Sequence, residues 1–219
     1  MTAGEPELEP EEGWIEELVA AEFPALRLLS AALPAAPGPS VPGVARQLRL
    51  LSDRFRGNRA VAMRGEPVPH AYRVFFRSVG LDPDARRTPI EAAVLDRLME
   101  GAFRPQGRIE DALLVALVET GVPVWALDDE RLDGPLGIRT ARAPERLGEG
   151  ELAPQVRPGG LVVADAERPV AELLAPPALA FAPGGATTRV RLFTVLVPGV
   201  PAIYAEEALW LAGTSLGAD

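Results

Sequence analysis

The spacing of apolar residues changes character near Gly121, and that single change limits the possible folds more than any other feature of the chain. Before it, apolar residues recur at helical spacing. Val44, Leu48, Leu51 and Phe55 predict a helix over 44–56 with arginines on its opposite face. Tyr72, Phe75 and Phe76 belong to a second helix over 71–79, ended by Gly80. The string Thr88-Pro89-Ile90-Glu91 reads as a capping box with proline at the first helical position, opening a helix that points Ile90, Val94 and Leu98 inward and stops at Gly101. Residues 109–120 are apolar around most of a helical circumference and are therefore expected to be buried, with Gly121 and Pro123 as terminators. Beyond that point the runs become short and are punctuated by Gly, Pro and Asp. Strands are predicted over 122–127, 137–141, 160–164, 170–174 and, most strongly, 187–197, followed by a closing helix over 203–212. Helices therefore dominate one half and strands the other, without β-α alternation. That pattern is α+β.

The first residues add smaller elements. Met1 to Gly13 is rich in Glu and Pro and is expected to be a disordered acidic tail, leaving 14–219 as one domain with a helical part (14–105) and a strand-rich part (106–219). A short helix is predicted over 14–21 and a buried strand over 25–33. The prolines between Pro34 and Gly43 make a loop, and Gly57-Asn58 reads as a break.

Composition removes several classes of function. The chain has no cysteine, which excludes disulfides, thiolate metal sites and cysteine nucleophiles, and one histidine, His70, which excludes a His-rich metal centre. There is no phosphate-binding glycine loop and no lysine to serve one. A Gly-x-Ser-x-Gly elbow is also missing. No metal or cofactor is expected. No apolar run is long enough to span a membrane, and the acidic start is the opposite of a targeting peptide, so a cytoplasmic location is the expectation. His70 reads as a surface or capping residue, Trp125 as core rather than a stacking platform, and Asp128-Asp129-Glu130 as a solvated turn.

The net charge of −9 argues against a general nucleic-acid coat, but its distribution is uneven. Residues 1–45 hold eight glutamates and one arginine, whereas 46–77 hold eight arginines against Asp53 and Glu66. Such a cluster reads either as a solvated face with ion pairs or as a patch for RNA phosphates. Arg49, Arg56, Arg59 and Arg73 are the candidates for RNA contact.

Several motifs occur in order. Gly121-Val122-Pro123-Val124 follows the buried helix, Asp128 to Leu132 forms an acidic turn, and Gly137-Ile138-Arg139 opens a strand. Pro158-Gly159-Gly160-Leu161-Val162-Val163-Ala164-Asp165 and Pro169-Val170-Ala171 come next. Upstream stand Ala71-Tyr72-Arg73, Gly80-Leu81-Asp82-Pro83 and Arg87-Thr88-Pro89-Ile90-Glu91-Ala92. In this arrangement, covering about 20–212, the chain resembles the B3/B4 domain of the phenylalanyl-tRNA synthetase β subunit and its freestanding relatives.

The resemblance implies a single domain with a β-sandwich-like core flanked by helices. Its implied partner is tRNA or aminoacyl-tRNA, and its implied activity is metal-free deacylation of mischarged tRNA in trans. The chain departs from the family's editing form at the residues that matter. Trp125 stands where the editing histidine would, the family asparagine falls on Leu114, and the pocket carboxylate of a Gly-Gly-Glu run has no counterpart between Leu174 and Gly185. Rejecting a phenol requires buried polar groups, so tyrosine editing of that type is not expected. By position, Leu114, Trp125, Thr187 and Thr188 are the expected pocket lining, with Asp128 at the rim and the threonine hydroxyls as candidates for water activation. The alternative is a non-catalytic module holding an amino-acid-like ligand in an apolar pocket. A third reading is a protein-interaction surface on the acidic tail or the 203–211 helix.

Overall fold

The computed structural model describes residues 8–148 and 153–218. In chain order the elements are β1 (Glu11–Glu12), β2 (Trp14–Ile15), α1 (Glu17–Glu22), β3 (Arg27–Pro34), α2 (Pro42–Arg54), α3 (Gly57–Ala62), α4 (Pro67–Ser78), α5 (Pro89–Glu100) and α6 (Arg108–Thr120). The strand-rich half follows with β4 (Val124–Asp128), β5 (Gly137–Thr140), β6 (Leu161–Ala164), β7 (Pro169–Glu172), β8 (Arg189–Leu196) and finally α7 (Ala202–Gly217). The α+β expectation is correct. The strands form two four-stranded sheets, ordered β1-β3-β8-β4 and β2-β5-β6-β7.

The first sheet is antiparallel throughout. Its centre is the β3–β8 pair, in register from Arg27 opposite Leu196 to Pro34 opposite Arg189. Along β8, Arg189 is exposed and Arg191 half-buried. From Leu192 to Leu196 every residue is buried, as the switch from alternating to nearly all-apolar sequence requires, and the Thr194 hydroxyl donates to the Pro123 carbonyl at 2.8 Å. In the second sheet β2 runs parallel to β5, and the other pairs are antiparallel.

The chain passes from one sheet to the other at Gly13, between β1 and β2. A Cβ there would lie 2.5 Å from the Leu136 carbonyl oxygen and 2.7 Å from a Leu28 methyl. Only glycine fits so close a backbone crossing.

Among the described residues three apolar clusters result, and α6 lies between the two larger ones. Ile109, Ala112 and Ala116 face the main core with Leu28, Phe76, Phe193 and Leu209. Val115 and Val118 face a helical core built from Leu48, Leu51, Phe55, Ile90 and Val94. A helix with cores on two sides must be apolar over most of its surface, which is the pattern its sequence carries. Each fully buried large side chain contributes roughly 1.5–3 kcal/mol of transfer free energy.

Local signals are mostly reproduced. Thr88 and Glu91 form the expected capping box, and Gly101 and Gly121 end their helices in the left-handed region, at φ 83° and 76°.

Four expectations need correction. Trp14 and Ile15 are not helical, because the Trp14 indole N–H donates to the Pro135 carbonyl oxygen and the residue pairs with Gly137; the helix is confined to α1. Within the stretch expected to be a disordered tail, Glu11 and Glu12 pair with Ser30 and Leu29; residues 1–7 lie outside the described residues. Gly57-Asn58 begins α3 rather than ending structure, and α4 starts at Pro67, which pre-sets a helical φ. Leu98 is exposed, one turn past the core that Ile90 and Val94 reach.

Candidate functional site

α6 ends at Gly121, and the chain turns through Val122-Pro123 directly into β4. This short return lays the start of β4 against the side of α6, so Leu114 and Leu117 meet Val124 and Trp125 across a cavity of about 220 Å³. Pro123, Val124 and Trp125 are buried, the leucines half-buried, and Gln106 and Glu110 stand exposed around them. Trp125 stacks on Phe193 of β8, with ring centroids 5.4 Å apart and 25° between planes. That contact fixes the indole as both core and cavity wall.

Asp111, on the first turns of α6, also lines this cavity and is fully buried. Its Oδ1 accepts the backbone N–H of Gln106 at 2.8 Å and, more weakly, that of Gly107 at 3.5 Å. Its Oδ2 has no hydrogen-bond partner among the described residues. A buried carboxylate oxygen left unsatisfied is costly and marks a place where a donor belongs. The lining contains Glu110 and Asp111 and no basic side chain. Sequence reasoning did not single out Asp111. The available signal was an acidic residue on the inner side of an otherwise apolar helix.

The expected pocket residues divide into two groups. Leu114 and Trp125 line one cavity. Asp128, Thr187 and Thr188 sit elsewhere, at the far end of β4. There the Thr187 hydroxyl donates to Asp128 Oδ2 at 2.7 Å and accepts the Gly184 N–H at 2.9 Å, while Thr188 donates to Glu130 at 2.9 Å. Asp129 accepts from Arg189 at 2.9 Å and Arg191 at 2.7 Å. The acidic turn is therefore not merely solvated. Asp128 is buried, and the carboxylates are matched by hydroxyls and guanidinium groups from the start of β8. Both threonine hydroxyls are committed to this network and lie outside the Leu114–Trp125 cavity.

The arginines also divide. Arg49, Arg56 and Arg59 are exposed on α2, on the link to α3 and on α3 respectively; Arg59 lies over the Phe55 ring at 5.3 Å and Arg56 is 4.0 Å from Asp53. Arg73 is buried. Its guanidinium donates to Glu91 and to Asp84, the latter at 2.7 Å, and Arg64 adds a second cation to the same network, 2.9 Å from Glu91. The Arg73 hydrogen bond holds the Asp84 carboxyl below its ordinary range. Arg73 thus has no charge left to present at the surface. His70 is exposed in the first turns of α4 and caps nothing.

Away from these residues, an open groove of about 650 Å³ runs between the Leu8–Glu12 segment and α7, edged by Arg27, Ile203, Glu206 and Trp210. It is larger than the α6–β4 cavity but contains no buried polar group seeking a partner. Among the described residues no cluster of three or more metal-ligating side chains occurs, and no helix is long and apolar enough to cross a membrane.

No protein-family model matches the chain. It is similar to the phenylalanine–tRNA ligase beta subunit of Xanthomonas euvesicatoria pv. vesicatoria, 35% identical over 140 residues, and to that of Xylella fastidiosa (strain Temecula1), 34% identical over 139 residues. Each alignment covers 63% of this chain and 16% of the ligase subunit. The chain therefore corresponds to a small part of the relatives that it matches.

Proposed function

For a tRNA-synthetase-related domain similar to part of the phenylalanine–tRNA ligase beta subunit, with an architecture consistent with a B3/B4-like domain, we propose a role in binding tRNA or aminoacyl-tRNA. The observation that carries this reading is the extended identity to ligase subunits. The α6–β4 cavity brings Leu114 and Trp125 together at positions where the family's editing form carries polar residues, a replacement that weighs against editing and fits the small-ligand alternative better. In this reading the cavity receives the aminoacyl group, and Arg49, Arg56 and Arg59 meet phosphates on the α2–α3 side. Arg73 takes no part.

Deacylation is the finer proposal. The hydroxyls of Thr187 and Thr188 cannot activate water in this cavity, because Asp128 and Glu130 hold them elsewhere. A hydrolytic step would depend on groups at the cavity itself or on the substrate. Turnover is therefore expected to be slow relative to binding.

The test is binding of deacylated tRNA by the full chain at about 50 and 200 mM salt, with a panel of mischarged tRNAs followed for deacylation in parallel. Three phosphate contacts predict a slope of log K against log salt of roughly −2 to −3, and replacing Arg49 or Arg56 by Gln should reduce it by about one each. Absence of binding at low salt overturns the reading. A second reading, an apolar pocket for a small amino-acid-like ligand without RNA, is favoured by the same mostly apolar lining. Ligand binding by a chain that ignores tRNA would select it.

A further inference from the structure

Another pocket, of about 220 Å³, lies between α3 and α5, away from the α6–β4 cavity. Val61 of α3 and Val94, Leu95 and Leu98 of α5 form its apolar walls, and Arg64 and Arg87 stand at its edge. Val61 and Leu98 are exposed, although Leu98 continues the helical spacing that buries Ile90 and Val94. Covering such side chains releases their hydration, so these walls favour an apolar occupant.

The charges beside the walls are unbalanced. Arg64, on the turn Met63–Gly65 after α3, approaches the buried Glu91 carboxylate through Nε at 2.9 Å. That carboxylate already receives Arg73, while Asp84 receives Arg73 at 2.7 Å and Arg77 at 3.8 Å. Three guanidinium groups therefore share two carboxylates. Arg87, immediately before the Thr88 cap, is exposed and has no hydrogen-bonded or charged partner among the described residues. The contact with buried Glu91 holds the Arg64 guanidinium at the edge of the pocket, so part of the ordering cost of binding is met in advance.

We propose that this pocket binds a small aliphatic carboxylate, with the anion on Arg64 and Arg87 and the hydrocarbon chain against Val61, Leu95 and Leu98. Arginine is the side chain best matched to a carboxylate, because its planar fork can give two parallel N–H bonds. The volume suits one short chain, since a cavity of about 150 Å³ already holds benzene. An RNA strand would use the arginines and leave the apolar walls in water. A peptide would bring backbone amides that those walls cannot satisfy. The site is separate from the α6–β4 cavity and does not depend on tRNA binding.

Methyl-resolved NMR titration of the full chain tests the proposal with four probes: hexanoate, hexan-1-ol, acetate, and a blocked tripeptide ending in leucine with a free carboxyl. Hexanoate should shift the Val61, Leu95 and Leu98 methyls. It should bind at least about tenfold more tightly than hexan-1-ol, which lacks the anion, and than acetate, which lacks the chain. Arg87→Gln, at an exposed residue with no partner to lose, should weaken hexanoate about fivefold or more and leave hexan-1-ol unchanged. Leu98→Gln, also at an exposed residue, should weaken both, and the spectrum of each variant shows directly that it is folded.

Unshifted methyls at these three residues overturn the proposal, as does binding of hexan-1-ol or acetate equal to that of hexanoate. Wild-type affinity for hexanoate in either folded variant overturns it as well. Tighter binding of the tripeptide than of hexanoate replaces it with a site for a peptide C-terminus.

Discussion

Removing the Arg73 guanidinium separates its role in the fold from any role in nucleic-acid contact. In Arg73→Met an unbranched apolar stem remains but the guanidinium is gone, which leaves the buried Glu91 carboxylate short of its main cation. Glu91 is 4% exposed and would retain Arg64, at 2.9 Å from the half-exposed side, and the Thr88 hydroxyl and backbone N–H, at 2.9 and 3.2 Å. Breaking a buried ion pair by deleting one partner costs about 3–5 kcal/mol, and the three surviving contacts place this case near the lower end, at about 3 kcal/mol. For a chain of this size each kcal/mol moves the melting temperature by about 2–4 °C, which makes the expected fall roughly 6–12 °C. Urea titration followed by tryptophan fluorescence should show a lower midpoint at unchanged slope, the signature of lost stability without a changed unfolded state. The double variant Arg73→Met with Glu91→Met should recover part of the loss, since it removes the stranded charge. The salt slope of tRNA binding should be unchanged in Arg73→Met. A loss below about 1 kcal/mol, the range of an exposed pair, would refute the argument, and so would a shallower salt slope in a folded variant.

Three other perturbations report on separate parts of the molecule. Thr187→Val removes the donor to Asp128 and the acceptor for the Gly184 amide; it should cost about 1–3 kcal/mol by urea titration. Gly13→Ala forces a Cβ against the Leu136 carbonyl and should cost about 1–3 kcal/mol in the same titration, whereas Gly38→Ala, with open space around it, should not. Glu145 accepts two bonds from Arg139, at 2.7 and 2.6 Å, and these hold its carboxyl below the ordinary range. A carboxyl depressed on folding stabilises at pH values above its unfolded pKa, about 4.3, and that stability disappears as pH falls through the folded value. The gap between wild type and Glu145→Gln should therefore be present at neutral pH and close on acidification, which unfolding curves at several pH values would show.

Most of the fold was legible because its signals are local or periodic. The Thr88–Glu91 box, the terminal glycines of α5 and α6, and the β8 run each depend on neighbours a few positions away. The errors at the start of the chain share one cause. Trp14–Ile15 has helical composition on its own and becomes a strand because β5, far along the chain, offers an edge and Pro135 offers a carbonyl. Glu11 and Glu12 look like a solvated tail until β3 is beside them. The candidate site behaved in the same way. Leu114 and Trp125 lie on consecutive elements joined by a tight turn, so position in the motif placed them together. Thr187 and Asp128 were assigned by the same logic, yet Asp128 lies at the opposite end of β4 from Trp125, and the turn there draws Thr187 and Thr188 toward it. Arg73 was indistinguishable in sequence from Arg49, because the acids that enclose it, Glu91 and Asp84, arrive from α5 and the turn before it.

The pairing of β3 with β8 has a consequence for the order in which the chain acquires structure during synthesis. β3 is complete early, but the strand it must lie against, Arg189–Leu196, is nearly the last element made, and β2 likewise waits for β5. Until then the apolar residues of β3 have only β1 beside them in their sheet. The buried residues of the helical core of α2, α3, α5 and α6 all lie between Val41 and Val118, so that core can close first. Such long-range pairing is slow to form and leaves strand edges open meanwhile. The interval in which this protein is most exposed to aggregation is therefore set by the distance between Leu33 and Val190 along the message rather than by the stability of the finished fold.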